Sequence, residues 1–488
     1  MAFAITQSCC ADASCVAACP VNCIHPTPDE PDFTSTDMLF VDPRACIDCG
    51  ACADACPVDA VHPVERLTGP LAGYAEVNAA YYDDRPVAES VSPLFHEWGP
   101  PSFGPGTPAG AEPLDVAVVG TGPAGMYAAR ELLLHSPSRV TLIDRMATPG
   151  GLVRYGVAPD HPATRRIAES FAHMHAHPRV RMRLGVEARP DELSARHDAV
   201  VWAVGASASR ELGVPGEELP GSVDADTVVG WYNGRPDVPA DAVEPASRVV
   251  VVGTGNVAID IARVLTADPD DLAGTPIAPH ALVALRSGAA RSGVPREVVL
   301  LGRRGPETVA ATAPELRELL GRAAVPVVVD DHDPRIAPSL DGPGAGLLRD
   351  AARTPVDWSA PPAGPRVVFR FHSAPDRIDG VGRVRSVRTV GVDIPAGLVV
   401  RAVGHRGRPV PGLPFDDARG VIPHDAGRVA GRPGHYVVGW IKRGASGGIG
   451  ANRRCAAETV GSLLDDAAAG RLPARRRPWS RWRTAVRG

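Results

Sequence analysis

Apolar positions along the chain fall into two similar successions. An unbroken run, Val116-Ala117-Val118-Val119, passes through glycines into a helical pattern over 126–134, and a second apolar run at 140–143 closes on Asp144. The succession returns with four valines at 249–252, a helical stretch at 259–265 and a later apolar run at 298–301. Short apolar runs bounded by glycine predict buried parallel strands, and their alternation with helices predicts βαβ units. The interval before 298 exceeds the usual unit, so an insertion must loop out around 268–295. Residues 200–205 and 399–404 read as matching crossing points between domains. The stretch from 86 to 113 has a different composition, with seven prolines and four glycines. It reads as a semi-rigid tether, with Phe95, Trp98 and Phe103 laying parts of it on a domain surface.

The glycines between strand and helix have fixed spacing. The first set is Gly120-x-Gly122-x-x-Gly125 and the second is Gly253-x-Gly255-x-x-Ala258. In such a turn the first glycine permits the bend, the second lets backbone amides approach a pyrophosphate, and the third position allows close helix–strand packing. Asp144, nineteen residues past Gly125, is placed to accept hydrogen bonds from a ribose. The second unit has no carboxylate after its run at 298–301, but Gly302-Arg303-Arg304-Gly305. Paired guanidinium forks suit the 2′-phosphate of NADP, which a carboxylate would repel.

At 488 residues, 44% hydrophobic and with a mean hydropathy of −0.04, the chain reads as three or four globular domains. No apolar run reaches membrane-spanning length, and the first residues lack a signal-peptide pattern; the expectation is a cytoplasmic protein without a membrane span. Seven arginines lie from Arg471 onward with Trp479 and Trp482; they read as a solvated terminus, and no nucleic-acid partner is expected. The net charge of −5 is uneven, because residues 1–86 carry 3 Arg against 10 Asp and 3 Glu, a sum of −10 that leaves +5 for the rest. An acidic surface serves solubility, and equally suits a carrier docking on a basic face of its own partner.

Nine of the ten cysteines lie between Cys9 and Cys56, in a repeat offset by 37 residues. One copy reads Cys9-x-x-Asp12-x-x-Cys15-x-x-x-Cys19-Pro20 and the other Cys46-x-x-Cys49-x-x-Cys52-x-x-x-Cys56-Pro57. Three closely spaced thiolates wrap one iron–sulfur cluster, and the cysteine before proline reaches the other. Cys46, Cys49 and Cys52 then share a four-iron cluster with Cys19, while Cys9 and Cys15 share the second with Cys56. Structural zinc uses separated C-x-x-C knuckles rather than such a triple run. Asp12 stands where a four-iron loop has cysteine, and a carboxylate is a harder ligand than a thiolate. The second cluster is therefore three-iron, or four-iron with an Asp12 ligand. Cys10 and Cys23 read as small buried or cluster-lining residues.

The N-terminal repeat resembles a bacterial two-cluster ferredoxin. The stretch 148–161, Thr-Pro-Gly-Gly-Leu-Val-Arg-Tyr-Gly-Val-Ala-Pro-Asp-His, resembles the adrenodoxin-reductase branch of ferredoxin–NADP reductases, as do 302–306, 315–319 and 439–449. Together they resemble the ferredoxin-fused subgroup. That resemblance implies an α/β fold: a two-cluster α+β ferredoxin followed by two Rossmann-like domains, the NADP domain inserted in the FAD domain. The expected boundaries are 1–86, a linker at 87–113, an FAD part at 114–207, an NADP domain at 208–396, and a second FAD part with the tail at 397–488. It implies FAD contacts at Gly120, Gly122, Pro123, Ala124, Gly125, Asp144, Leu152, Ala188, Trp440, Gly447, Gly448 and Ile449. NADP contacts fall at Arg210, Gly253, Gly255, Asn256, Val257, Ala258, Arg303, Arg304 and Glu315. It places His161 and Glu318 as a polar pair near the nicotinamide, and Lys442, the sole lysine, reads as a surface docking charge. The implied activity takes hydride from NADPH to FAD and passes single electrons to the clusters and an external acceptor protein, a ferredoxin or haem monooxygenase. The alternative keeps these parts as the electron-input module of a larger redox complex.

Overall fold

The computed structural model describes residues 2–28, 30–34, 36, 38–83, 85, 112–292, 297–340, 346–362 and 364–473. The expected tether, apart from residues 112 and 113, and the arginine-rich tail beyond 473 lie outside the described residues. The chain divides into two compact units: Met1–Phe95, Leu152–Ile167 and Ser209–His405 form one, and His96–Gly151, Ala168–Ala208 and Arg406–Gly488 the other.

The second unit is built on a seven-stranded sheet. Asp115–Val119 runs parallel to Arg139–Asp144 on one side and Ala199–Trp202 on the other. His435–Val437, from the far end of the chain, adds in parallel beside Ala199–Trp202. The helix Ala451–Ala468 packs on the helix Pro123–His135. Sequence from both sides of a long insertion thus completes one sheet. Val116, Val118, Leu142 and Val201 are fully buried in it, as uninterrupted apolar strands require when both faces are covered.

The first unit contains a second seven-stranded sheet whose strand pairings are all parallel. The inner strand Arg248–Val252 is flanked by Glu297–Leu301 and Leu398–Arg401. The sequence reading put residues 397–401 with the second FAD part, whereas the structure uses Leu398–Arg401 as an inner strand of this sheet. The reason is packing: Val399 and Val400 are fully buried, between Ser222–Asp224 and Arg248–Val252. One face is covered by helices, including Asn256–Thr266. The other meets a three-stranded antiparallel sheet through Ile378, Val384, Val387 and Ile394. The stretch at 268–295 carries the helices Pro269–Leu272 and Pro279–Ser292.

The cysteine-rich segment pairs Phe3–Ile5 with Val61–Pro63 and Ile24–His25 with Phe40–Val41, both antiparallel. Asn78, on the helix Tyr74–Ala80, ties these ribbons together. Its side-chain oxygen accepts from Ile5 N–H at 3.0 Å and Val41 N–H at 2.8 Å, and its amide donates to the Ile5 carbonyl at 2.8 Å. The 37-residue repeat is also a repeat of backbone. Ala11, Ala13 and Asn22 have φ values of 52°, 62° and 51°; their counterparts Asp48, Gly50 and Asp59 have 59°, 76° and 48°. The short helices Ser14–Ala18 and Ala51–Ala55 follow at the same offset. Among the described residues no helix is long and apolar enough to cross a membrane.

Candidate functional site

Left-handed residues recur at matching positions in both cysteine loops. Cys9, Cys15 and Cys56 line a small pocket together with Cys10 and Asp12. Among the described residues, no three of the cysteine sulfurs lie within 4.8 Å of one another. Burial pushes the Cys10 and Cys15 thiols well above their ordinary range, so metal must offset the cost of forming thiolates here. In the second loop Cys52 is buried, Cys49 is exposed, and Cys19 lies 3.4 Å from the Cys23 sulfur.

The first glycine turn is shaped by close backbone approaches. Gly120 has φ +106°, and a Cβ there would stand 2.3 Å from the Ala203 carbonyl oxygen. A Cβ on Gly125 would meet the Gly120 carbonyl oxygen at 1.9 Å. Gly122 faces open space, its nearest neighbour being Gly151 Cα at 3.8 Å. The helix Pro123–His135 begins there without a side-chain cap, leaving its first N–H groups for an anion. Asp144 is buried, and one of its oxygens accepts from Thr121 N–H at 2.8 Å and Thr121 Oγ1 at 2.5 Å. Its other oxygen accepts from Met146 N–H at 2.9 Å, which leaves about one acceptor position of a carboxylate's four. Ala188 packs beside the cluster of Ala117, Val119, Ile143 and Trp202. Leu152 is 42% exposed.

The C-terminal loop of the same unit is gathered by its own side chains. Trp440 Nε1 donates to the Gly447 carbonyl at 3.1 Å, and Asn452 donates to the carbonyls of Gly448 and Ile449 at 3.2 and 3.0 Å. No atom lies within 4 Å of where a Gly448 Cβ would stand. Gly439, with φ +79°, brings this segment so near Ala124 that a Cβ would fall 2.5 Å from the alanine methyl. The open backbone at Gly122 and Gly448, with donors at a helix start, fits a flavin dinucleotide.

The second turn has the same opening. Gly253 has φ +133°, with the Ala402 carbonyl oxygen 2.3 Å from a would-be Cβ, and Gly255 is open. Asn256 accepts from Thr312 N–H at 2.8 Å; Val257 is half-buried and Ala258 fully buried. Arg303 and Arg304 follow the strand Glu297–Leu301 and are exposed. The turn beneath them is fixed by His372 N–H donating to the Arg304 carbonyl and Ser373 N–H to that of Gly302, both at 2.9 Å. Among the described residues neither guanidinium meets a carboxylate, so both forks are available to an anion. Arg210 is also exposed, its N–H donating to the Gly404 carbonyl at 3.0 Å. This donor set fits a phosphorylated dinucleotide.

His161 and Glu318 do meet: His161 Nε2 lies 2.8 Å from Glu318 Oε2. They belong to a larger buried network centred on Arg263, which is 0% exposed. Arg263 reaches Asp160 at 3.0 Å, Asp260 at 2.7 Å, Glu315 at 2.5 Å and Glu318 at 3.6 Å. Arg322 adds a contact to Asp160 at 2.7 Å. With His161 protonated, three cations face four carboxylates. Burial alone favours a neutral ring, but the Glu318 hydrogen bond and the neighbouring carboxylates outweigh it and lift His161 to about 9. Burial likewise opposes the Asp160 carboxylate, yet Arg263 and His161 hold it down at about 2. Asp260 moves the other way, raised by burial and by Glu315.

Glu315, expected at the nucleotide, spends one oxygen on Arg263. Lys442 is a correction: it is buried, its Nζ bonding Glu458 at 2.8 Å and Thr459 at 2.9 Å. It braces the C-terminal helix and is no surface docking charge. Arg263, Asp260 and Arg322 were not singled out from the sequence. The available signal was an arginine inside Ile259-Asp260-Ile261-Ala262-Arg263-Val264-Leu265, since an ionised group amid apolar positions needs buried partners.

Residues 114–271 match the pyridine nucleotide-disulphide oxidoreductase family, and residues 39–62 match the 4Fe-4S binding domain. The chain is 46% identical over 502 residues to the probable ferredoxin/ferredoxin–NADP reductase of Mycobacterium tuberculosis, covering 97% of this chain and 85% of that protein. It is 42% identical over 392 residues to the NADPH-ferredoxin reductase FprA of that organism, covering 72% and 84%. The solved structure of FprA in complex with NADPH superposes with a TM-score of 0.65 at 40% identity, covering 74% of this chain and 87% of that one.

Proposed function

The chain belongs to the ferredoxin-fused ferredoxin–NADP reductases, NADPH-dependent flavoprotein oxidoreductases, and from that premise we propose how its parts divide the work. Bound FAD supplies the exchange between the paired electrons of a hydride from NADPH and the single electrons that iron–sulfur clusters and a protein acceptor take. Gly120, Gly122 and Gly125 with the uncapped start of Pro123–His135 hold the FAD pyrophosphate. Asp144 keeps Thr121 in place and offers its remaining acceptor position to the ribose. Pro123, Ala124, Leu152, Ala188, Trp440, Gly447, Gly448 and Ile449 shape the rest of that site.

Gly253, Gly255, Asn256, Val257 and Ala258 hold the NADP pyrophosphate, with Arg303 and Arg304 on the 2′-phosphate and Arg210 beside them. Glu315 acts from behind, by steadying Arg263. His161 Nε2 holds a proton against Glu318 Oε2 near the nicotinamide. Cys19, Cys46, Cys49 and Cys52 ligate a four-iron cluster, and Cys9, Cys15 and Cys56 a three-iron cluster, because Asp12 offers a harder carboxylate where a four-iron loop has a thiolate. The division into ferredoxin (1–86), linker (87–113), FAD parts (114–207 and 406–488) and NADP domain (208–405) follows these roles, with the last boundary moved past the strand Leu398–Arg401. The external acceptor is a one-electron protein, a ferredoxin or a haem monooxygenase, and the clustered thiols suit a reducing compartment such as the cytoplasm.

The observation that carries this reading is the pair of open glycine turns, one followed by a buried aspartate and the other by two unpaired arginines. Anaerobic titration with NADPH tests it. The flavin should bleach at about one NADPH per FAD, and the protein should contain about seven irons with a paramagnetic oxidised cluster. Bleaching by NADH at an equal rate, or zinc in place of iron, would sink it.

A further inference from the structure

Cys10 and Ile47 occupy the same position of the 37-residue repeat, one residue past the first cysteine of each loop. Their surroundings differ. Ile47 is 59% exposed, whereas Cys10 is buried and lines a small pocket with Cys9, Asp12, Cys15 and Cys56. It stands in sequence beside Cys9, the first of the three expected ligands. The Cys9 sulfur accepts Ala11 N–H at 3.3 Å. Asp12, which stands where the second copy has Cys49, points both carboxylate oxygens at Ser14: one accepts the Ser14 N–H at 3.1 Å and the other its hydroxyl at 2.8 Å. The cavity thus contains the three expected ligands, a carboxylate tied to its neighbour, and one further thiol.

We propose that Cys10 is the fourth ligand of this site, a thiolate that lets the three-iron cluster take up an additional iron. The proposal rests on the reading of Cys9, Cys15 and Cys56 as the three-iron site. A thiolate is the softer donor and suits iron–sulfur chemistry better than the Asp12 carboxylate. In the conversion, the oxidised three-iron cluster accepts one electron, supplied by NADPH oxidation on the same chain, and one ferrous ion. The Cys10 thiol gives its proton to solvent as its sulfur–iron bond forms; nothing else is oxidised or reduced.

The test uses the full chain, purified anaerobically, incubated with NADPH and ferrous ammonium sulfate and then desalted. Iron per FAD and the oxidised electron paramagnetic resonance spectrum are the readouts. The unaltered protein should rise from about seven irons to about eight and lose its oxidised signal. Cys10→Ala should stay at about seven with the signal intact, and Asp12→Ala should convert like the unaltered protein. Cys10→Ser, closer in size, serves if Cys10→Ala does not fold. Conversion of the Cys10 variants, or failure of Asp12→Ala to convert, overturns the proposal. If the unaltered protein already carries eight irons and no oxidised signal, the three-iron reading falls instead. The Cys10 variants still decide the ligand then: loss of one iron upholds Cys10, and retention of all eight overturns it.

Discussion

Gly120 and Gly253 begin two turns of the same design, each left-handed and each with a carbonyl oxygen 2.3 Å from where a Cβ would stand. Beyond that point the turns differ. The first is closed by bonds within the protein: Asp144 is buried and binds Thr121 twice, and the Gly439 backbone leans on Ala124. The second is left open at its far end, where Arg303 and Arg304 stand exposed without a carboxylate among the described residues. On the proposed assignment, the first site would retain its nucleotide and the second would exchange it. The helices behind the turns differ as well. Arg130 and Arg263 both lie ten residues past the first glycine; Arg130 is half-buried, and Arg263 is fully buried among four carboxylates.

Removing that arginine is the largest break in the comparison. Arg263→Met should destabilise the nucleotide-binding unit by about 3–5 kcal/mol, because it leaves buried carboxylates uncompensated. Arg130→Met should cost about 1 kcal/mol or less. Urea unfolding followed by tryptophan fluorescence measures both. Equal midpoints for the two variants would mean that the network contributes nothing beyond packing.

The same network makes the exchanging site sensitive to pH. His161 is raised from an ordinary 6.5 to about 9, so its stabilising contribution is fully present below about pH 6.5. It fades as the pH rises through about 9. The shift corresponds to about 3–4 kcal/mol across that window. His161→Gln should flatten the loss of stability between these limits, as read by urea midpoints at several pH values. An unchanged slope would assign the titration to another group.

Much of this could be read from the sequence, and the physical reason is locality. Glycine spacing, cysteine spacing and the missing acid before Arg303 are properties of short segments, so the turns, the thiolate loops and the parallel strands were all legible. Leu398–Arg401 was harder to place, because a buried apolar strand looks the same in either sheet and only its pairing partners decide. Arg263 joins Asp160 to Glu315 and Glu318 across more than 150 residues of sequence, a distance no local pattern spans. Lys442 misled for a related reason: Glu458 and Thr459, which bury its charge, lie on the next helix.

Arg303→Ala sharpens the contrast at the open end. Losing a charge-assisted contact of about 1.5–3 kcal/mol should raise the KM for NADPH by about one to two decades and leave that for NADH almost unchanged. FAD content should not move. An equal rise with both nucleotides would remove the 2′-phosphate from the account.

The smallest expected effect, at Ala258, comes from exchanging the third position of the two turns. Gly125 stands where a Cβ would meet the Gly120 carbonyl oxygen at 1.9 Å, and that oxygen is backbone and cannot rotate away. Gly125→Ala must therefore push the helix Pro123–His135 from its turn, at about 1–3 kcal/mol for overpacking. FAD retention should fall by about one to two decades, read as flavin fluorescence released on dilution. The second turn already carries alanine there, fully buried, so its helix has the room. Ala258→Gly removes one methyl and some helix propensity, about 1 kcal/mol or less, and should change the KM for NADPH by less than about fivefold. If the two substitutions proved equally mild, the closeness of the first turn would not be what retains its nucleotide. The burial of Asp144 would then have to carry the difference.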